Sequence, residues 1–211
     1  MANRLQRGIG HHDRETRMSS LPAAYFDALY DADPDPWLIE TSAYDRRKHA
    51  ATLAALPGTR YRNALEVGCS IGVLTEQLAP RCDRVLAIDV AEAALDRARA
   101  RLAQAPHVRF ACRAFPGDMQ DAQVADGFDL ILLSEILYYL DAQALVRAAR
   151  VTRLLAASGA HVQLVHWLGP TPDYPVSGQE AAEIFIAALR PVAPIMLQVH
   201  TANYRIDVLK L

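Results

Sequence analysis

The sequence predicts an α/β protein: a mainly parallel sheet covered by helices on both faces, with an antiparallel strand at one edge. Three observations predict it. From residue 64 onward, short apolar runs alternate with helical patterns. The run FDLILLS (128–134) is almost continuously apolar, as a strand buried on both faces requires. Two closing extended runs, IMLQVHTA (195–202) and YRIDVLKL (204–211), are separated by little more than Asn203 and read as a hairpin.

Before the alternation, residues 1–20 are polar, with Arg4, Arg7, Arg14 and Arg17 partly offset by Asp13 and Glu15. A flexible N-terminal arm is expected there, with a flap over bound ligand as the alternative. Residues 21–57 read as a helical cap. Ala24, Tyr25, Ala28 and Leu29 predict a short helix, and the prolines of DADPDPW (31–37) end it. Thr41 or Ser42 caps a second helix through Leu53 and Leu56, which Pro57-Gly58 stops.

Residues 58–211 carry the sheet, and cap and core form one compact domain. Strands are expected at 64–68, 84–89, 108–112, 128–134 and 160–167, before the closing pair. Helices are expected at 71–79, 91–105, 141–157 and 179–190. Ser158-Gly159 is expected to stop the helix at 141–157. A loop with prolines and glycines, 169–178, precedes the last helix.

Composition narrows the function. The 211 residues are 52% apolar and 22% charged, which fits one ordinary domain and excludes wholesale disorder. A net charge of −2 excludes a polycation built to neutralise many phosphates. Arg97, Arg99 and Arg101 fall on different sectors of one helix beside Glu92 and Asp96 and read as a solvated face. No nucleic-acid track with interleaved aromatics is traceable. No run approaches the ~18 apolar residues of a membrane span, and the N-terminus lacks the apolar stretch of a secretory signal. The three cysteines, at 69, 82 and 112, are widely spaced and include no CxxC, so a reduced, cytoplasmic protein is expected. No HExxH occurs, and no metal is expected.

ALEVGCSIG (64–72) is the most informative segment. A strand ends at Gly68 and a helix begins just after Ser70. Gly68 and Gly72 lack Cβ atoms, so a ligand can approach the backbone, and the helix start offers free N–H groups. Asp89 closes the next strand 21 residues after Gly68 and can accept both hydroxyls of a ribose. A dinucleotide turn would need GxGxxG, but the aligned residues are Gly68, Ser70 and Val73. A nicotinamide enzyme is therefore disfavoured. A glycine turn used only for packing stays open.

The pattern Glu66-x-Gly68-x-Ser70-x-Gly72 resembles motif I of class I S-adenosylmethionine (SAM) methyltransferases, with serine in place of the middle glycine. The resemblance extends through Asp89, FDLILLSEILYYL (128–140) and LLAASGAHV (154–162), over roughly residues 60–167. It implies a Rossmann-like, seven-stranded sheet in the order 3-2-1-4-5-7-6, with SAM as cofactor and S-adenosylhomocysteine as product. It also implies roles. Glu66 orders the turn and contacts the cofactor's amino group, and Gly68, Cys69, Ser70 and Gly72 surround the methionine part. Asp89 holds the ribose and Val90 packs on adenine. The acid often found after the third strand is absent; CRAF (112–115) stands there. Adenine recognition then falls to the backbone or Phe115, with Asp118 a weaker candidate.

A narrower resemblance rests on DPDPW (33–37), the span 64–90 and SEILYYL (134–140). These look like the nodulation protein S family, SAM-dependent N-methyltransferases acting on the free amine of a chitooligosaccharide. The segment 166–185 departs toward relatives with unassigned substrates. The acceptor implied is an amino sugar or another small amine; O-methylation and SAM binding without turnover remain the alternatives.

Methyl transfer from a sulfonium is an in-line displacement that needs alignment, dryness and, for an ammonium acceptor, loss of a proton. Ligands in open α/β sheets bind at the carboxyl ends of the strands. That places Ser134, Glu135, Tyr138 and Tyr139 after the fourth strand, and His166 and Trp167 after the fifth. Ser134 is assigned to the cofactor. Glu135 is the first choice as acceptor or base, against a helix-capping carboxylate. His166 is a second base, against a structural imidazole. Tyr138 contacts the methyl or packs in the core. Trp37, Tyr44 and Tyr139, with Asp173 and Tyr174 of the loop, are candidates for the acceptor site and its lid. Cys69 fills the turn without a nucleophilic role. The partner is a small-molecule acceptor, with no nucleic acid and no membrane; oligomeric state stays open.

Overall fold

The apolar runs become seven strands in the computed structural model, which describes residues 19–119 and 126–211. They are β1 (Tyr61–Val67), β2 (Cys82–Asp89), β3 (Val108–Cys112), β4 (Phe128–Ser134), β5 (Ala156–Trp167), β6 (Ile195–His200) and β7 (Tyr204–Lys210). The sheet order is β3-β2-β1-β4-β5-β7-β6, as the resemblance implied. Strands β1 to β5 pair in parallel, whereas β7 runs antiparallel to both β5 and β6. The helices are α1 (Ala23–Ala32), α2 (Ala43–Ala54), α3 (Val73–Leu78), α4 (Glu92–Arg101), α5 (Ala142–Leu155) and α6 (Gly178–Leu189).

Alternation along each strand divides the core. Leu65, Ile131, Leu133, Val162 and Leu164 face α5 and α6, where Leu145 and Phe185 are fully buried. Ala64, Val85, Leu130, Leu132 and Val165 face the other side, against Leu56, Leu74, Leu78 and Leu95. α1 adds a smaller layer: Tyr30, with Phe26, Trp37 and Ile39, packs on Ile71, Val73, Ala91 and Ala94. Cap and glycine turn are thereby joined.

Local chemistry sets the boundaries. α1 runs into the DADPDPW segment and stops when Pro34 holds Asp33 extended. The Asp35 carboxylate then accepts from Ile39 and Glu40 N–H and closes the loop. Ser42 is the cap of α2, accepting from Asp45 N–H at 3.1 Å. The expectation that Ser158-Gly159 ends α5 is corrected: the helix ends at Leu155, and both residues lie in β5. The β4–β5 register shifts between Phe128 and Leu130, and Gly159 takes φ +77° within that irregularity. α3 is shorter than the expected 71–79, with a 3₁₀ turn at Ala79–Arg81 following it. A second 3₁₀ turn, Leu137–Tyr139, follows β4.

Residues 1–18 of the expected arm lie outside the described residues. Its last residue, Ser20, is pinned: its backbone N–H and hydroxyl both donate to Asp141. Among the described residues no helix is long and apolar enough to cross a membrane.

Candidate active site at the carboxyl ends of the strands

The glycine turn forms one half of the site. Gly68, Ser70 and Gly72 all have positive φ, at +75°, +51° and +79°. Both glycines also answer to packing. A Cβ on Gly68 would lie 2.0 Å from Ile136 Cγ2, and one on Gly72 would lie 2.9 Å from Ala98 Cβ. Cys69 is buried and its thiol is raised well above its usual pKa by that burial, so it stays protonated. Ser134 lies beside the turn on β4, with its carbonyl oxygen 3.8 Å from the Cβ position of Gly68.

Asp89 reads the turn through its backbone. One carboxylate oxygen accepts from Ser70 N–H at 2.8 Å, the other from Ala91 N–H at 3.1 Å. Val90 N–H also acts on this carboxylate, and a lone pair stays available for a further donor. Glu66 is almost fully buried, and one of its oxygens has no partner among the described residues. Burial pushes its carboxyl up to about 7. An unpartnered buried oxygen beside an open-turn backbone suits the ammonium and carboxylate of a bound amino acid moiety. Val90, just past β2, and Phe115, just past β3, are half-buried, while the Asp118 carboxylate accepts from Ala114 N–H at 3.2 Å and closes its own turn.

Glu135 organises the other half. It sits just past β4 with φ +59°. One carboxylate oxygen accepts from Lys48 Nζ at 2.7 Å; the other accepts from Tyr138 OH at 2.8 Å and Trp167 N–H at 2.9 Å. Burial raises its pKa, but Lys48 and the other donors outweigh it and hold the carboxyl below the usual range. His166 is fully buried, and its Nε2 accepts from Leu137 N–H at 3.2 Å. The ring proton therefore sits on Nδ1. Burial drives the His166 pKa down to about 4. Both residues expected as bases thus have their basicity suppressed, Glu135 by its fixed donors and His166 chiefly by burial.

Aromatic rings close the site. Tyr138 stacks on Tyr174 of the 169–178 loop, with centroids 5.3 Å apart, and meets His166 edge-on at 5.7 Å. Tyr139 contacts both Tyr174 and Phe26 of α1. Asp173 is exposed in the same loop, near Tyr25 of α1. The structure separates Trp37 from Tyr44. Trp37 packs on Tyr30, whose hydroxyl meets Ser70 Oγ at 2.5 Å, so it belongs to the cover of the turn. Tyr44 packs edge-on against Trp167 at 5.7 Å, beside Glu135.

Sequence reasoning missed Lys48, Tyr30, Tyr25 and Phe26. Lys48 follows Arg46 and Arg47 and reads as one more solvated cation; only its spacing from Tyr44 and Thr52 on one helix stripe marks it. Arg101 also departs from the solvated face expected of it. Its guanidinium donates to Ile71 O at 3.0 Å, pairs with Glu40 and Glu76, and helps line an open surface depression with Ile71 and Arg97.

Strand order, glycine turn and the acid closing β2 define the class I fold of SAM-dependent methyltransferases. The N-methyltransferase NodS from Bradyrhizobium japonicum WM9, solved with S-adenosylhomocysteine, shares it with a TM-score of 0.72 and 24% identity, over 89% of this chain and 97% of that one. A Pseudomonas syringae protein, itself an inferred methyltransferase, is 34% identical with a TM-score of 0.66, over 81% of this chain and 100% of its own. The family model for nodulation protein S (NodS) matches residues 28–164, and the chain belongs to that family. Nodulation protein S of Rhizobium tropici is 39% identical over 131 residues, 61% of this chain and 53% of that relative. The Sinorhizobium fredii counterpart is 37% identical over 131 residues, 59% of its length. The chain thus spans little more than half the length of these curated relatives.

Proposed function

We propose that the chain is a SAM-dependent methyltransferase that methylates the amine nitrogen of a small molecule, most simply an amino sugar. Residues 58–211 serve as the cofactor-binding core and residues 21–57 as its cap. The observation that carries the reading is the adjacency of two unlike half-sites: the Glu66–Asp89 turn, and Glu135 with its aromatic walls, joined where Gly68 packs on Ile136.

When bound, SAM supplies an electrophilic methyl carbon on a sulfonium. Asp89 would hold the ribose hydroxyls, the Glu66 oxygen and the 68–72 backbone the methionine end, and Val90 with Phe115 the adenine. Tyr138, Tyr139 and Tyr174 exclude water, and Tyr44 offers a ring face beside Glu135. Glu135 accepts a hydrogen bond from the acceptor N–H and orients the nitrogen lone pair. The N–C bond forms as the S–C bond breaks, and the amine proton passes to solvent.

The state of the bases favours nitrogen over oxygen. The His166 lone pair is engaged, and the Glu135 carboxylate is held by three donors, one of them a cation. A sugar hydroxyl must lose its proton to a base to become a nucleophile, whereas a free amine already carries its lone pair. The choice of nitrogen is supported by family kinship: the relative solved with S-adenosylhomocysteine is named an N-methyltransferase.

Calorimetric titration with S-adenosylhomocysteine tests the cofactor half. Folded protein is expected to bind, and Asp89→Ala to weaken binding by ~1–3 kcal/mol through lost charged hydrogen bonds. No binding by the folded wild type would sink the reading. Product masses after incubation with labelled SAM and free-amine chitooligosaccharides test the acceptor half. A methylated hydroxyl, or no turnover despite tight binding, would replace it with an O-methyltransferase or a binding protein.

A further inference from the structure

Lys48 crosses from α2 to the mouth of β4, over 87 residues of sequence separation, and is nearly buried. Its Nζ lies 2.7 Å from Glu135 and 3.0 Å from Asp45. The same nitrogen lies 5.3 Å from the centroid of the Tyr44 ring. An ammonium removed from water is costly unless such partners surround it. A lysine needed only to fill space would be replaced without loss by a methionine of like volume.

The groups facing Glu135 leave the charge balance clear. From α2 come Lys48, Asp45, Tyr44 and His49; from the 3₁₀ turn, Tyr138 and Tyr139; from β5, His166. Burial lowers both His49 and His166 to about 4, so each is neutral near pH 7. Burial also raises Tyr138 and Tyr139 well above their usual value and Tyr44 to about 12. One cation therefore stands between two carboxylates.

We propose that Lys48 is a positioning residue for methyl transfer: its ammonium holds Glu135 ionised and fixed beside the cofactor turn, so that Glu135 binds the acceptor nitrogen without taking its proton. The proposal rests on the methyltransferase reading of this site. The acceptor must then arrive as the free amine, its proton already lost to water.

The test uses the whole chain, with Lys48→Met and Lys48→Arg. Carbon-13 titration of the glutamate carboxyls, with Glu135 assigned by its absence in Glu135→Gln, reads the charge directly. The Glu135 midpoint is expected below 4.5 in the wild type. In Lys48→Met it should rise by about one pH unit or more, and Lys48→Arg should restore it. With SAM and free-amine chitooligosaccharide, kcat/KM of Lys48→Met should fall about tenfold or more, while S-adenosylhomocysteine binds as before. An unmoved midpoint, or an unchanged kcat/KM, overturns the proposal.

A wild-type measurement carries the test if Lys48→Met does not fold. The acid limb of kcat/KM is expected to follow the amine pKa of each acceptor used. A limb that stays fixed between about pH 5 and 8 across acceptors would reveal an enzyme base and overturn the proposal. Failure of folded wild type to bind S-adenosylhomocysteine would instead sink the functional reading, and the Glu135 titration would still read the effect of Lys48.

Discussion

Glu66, Glu135 and His166 are three ionisable groups whose pKa values are set by burial and partners rather than by residue type. His166 titrates near 4 in the fold against 6.5 when free. The unfolded chain therefore takes up the proton first, so the stability His166 contributes is present above about 6.5 and lost as pH falls toward 4. His166→Gln keeps an acceptor for Leu137 N–H but removes this titration. Urea unfolding at several pH values should find the wild type losing ~3 kcal/mol more than the variant between neutral pH and pH 4. Equal losses would mean that the imidazole is not held neutral. Glu66 acts with the opposite sign. Its stabilisation is present below 4.5 and lost as pH rises through about 7. The residue types at these positions were legible in the sequence. Their protonation states were not, because desolvation and neighbouring charge follow from packing.

Elements were mostly legible, since β3 and β4 begin and end where the apolar runs do. The errors fall where one element meets another. β5 begins at Ala156 because Phe128 pairs with it across the sheet, a contact that overrides the stop signal of Ser158-Gly159. α6 shows both levels of control. Its start carries a capping box between Ser177 and Glu180, readable in sequence. Its second constraint is tertiary: a Cβ on Gly178 would stand 1.9 Å from the Trp167 carbonyl oxygen. Ser177→Ala should cost ~1 kcal/mol by urea unfolding with methyl transfer retained. Gly178→Ala should cost more, ~1–3 kcal/mol. It should also lower methyl transfer, because the displaced Trp167 N–H is a donor to Glu135. Equal stability of the two variants would show that α6 yields to the added methyl.

At the scale of the molecule, the sheet order carries the function. It brings β1, β2 and β4 side by side, so that Gly68, Asp89 and Glu135 emerge at one edge from widely separated stretches of chain. The cap then reaches both halves of the site, Tyr30 onto the turn and Lys48 onto Glu135. A ligand bound across this edge stabilises the whole fold by mass action. S-adenosylhomocysteine at about a hundred times its Kd should add ~2.7 kcal/mol to unfolding. A raised Tm by calorimetry checks this, and Asp89→Ala at the same ligand concentration should lose much of the rise. An unchanged wild-type Tm would mean that the ligand does not select the native state.

The sequence by itself determined the sheet, its antiparallel edge, the motif turn and the acid that follows it. Each is written in local periodicity or in short spacing along the chain, and the physics of strands and turns is local. The tertiary structure alone decided which carboxyl has its pKa raised by burial, which imidazole is spent on a backbone N–H, and which of several cations is buried. Lys48 illustrates the reason. Only its helix spacing from Tyr44 and Thr52 sets it apart from the arginines beside it, and its partner lies 87 residues away. Its role depends on a distance in space and on the removal of water, and a linear pattern of residues encodes neither.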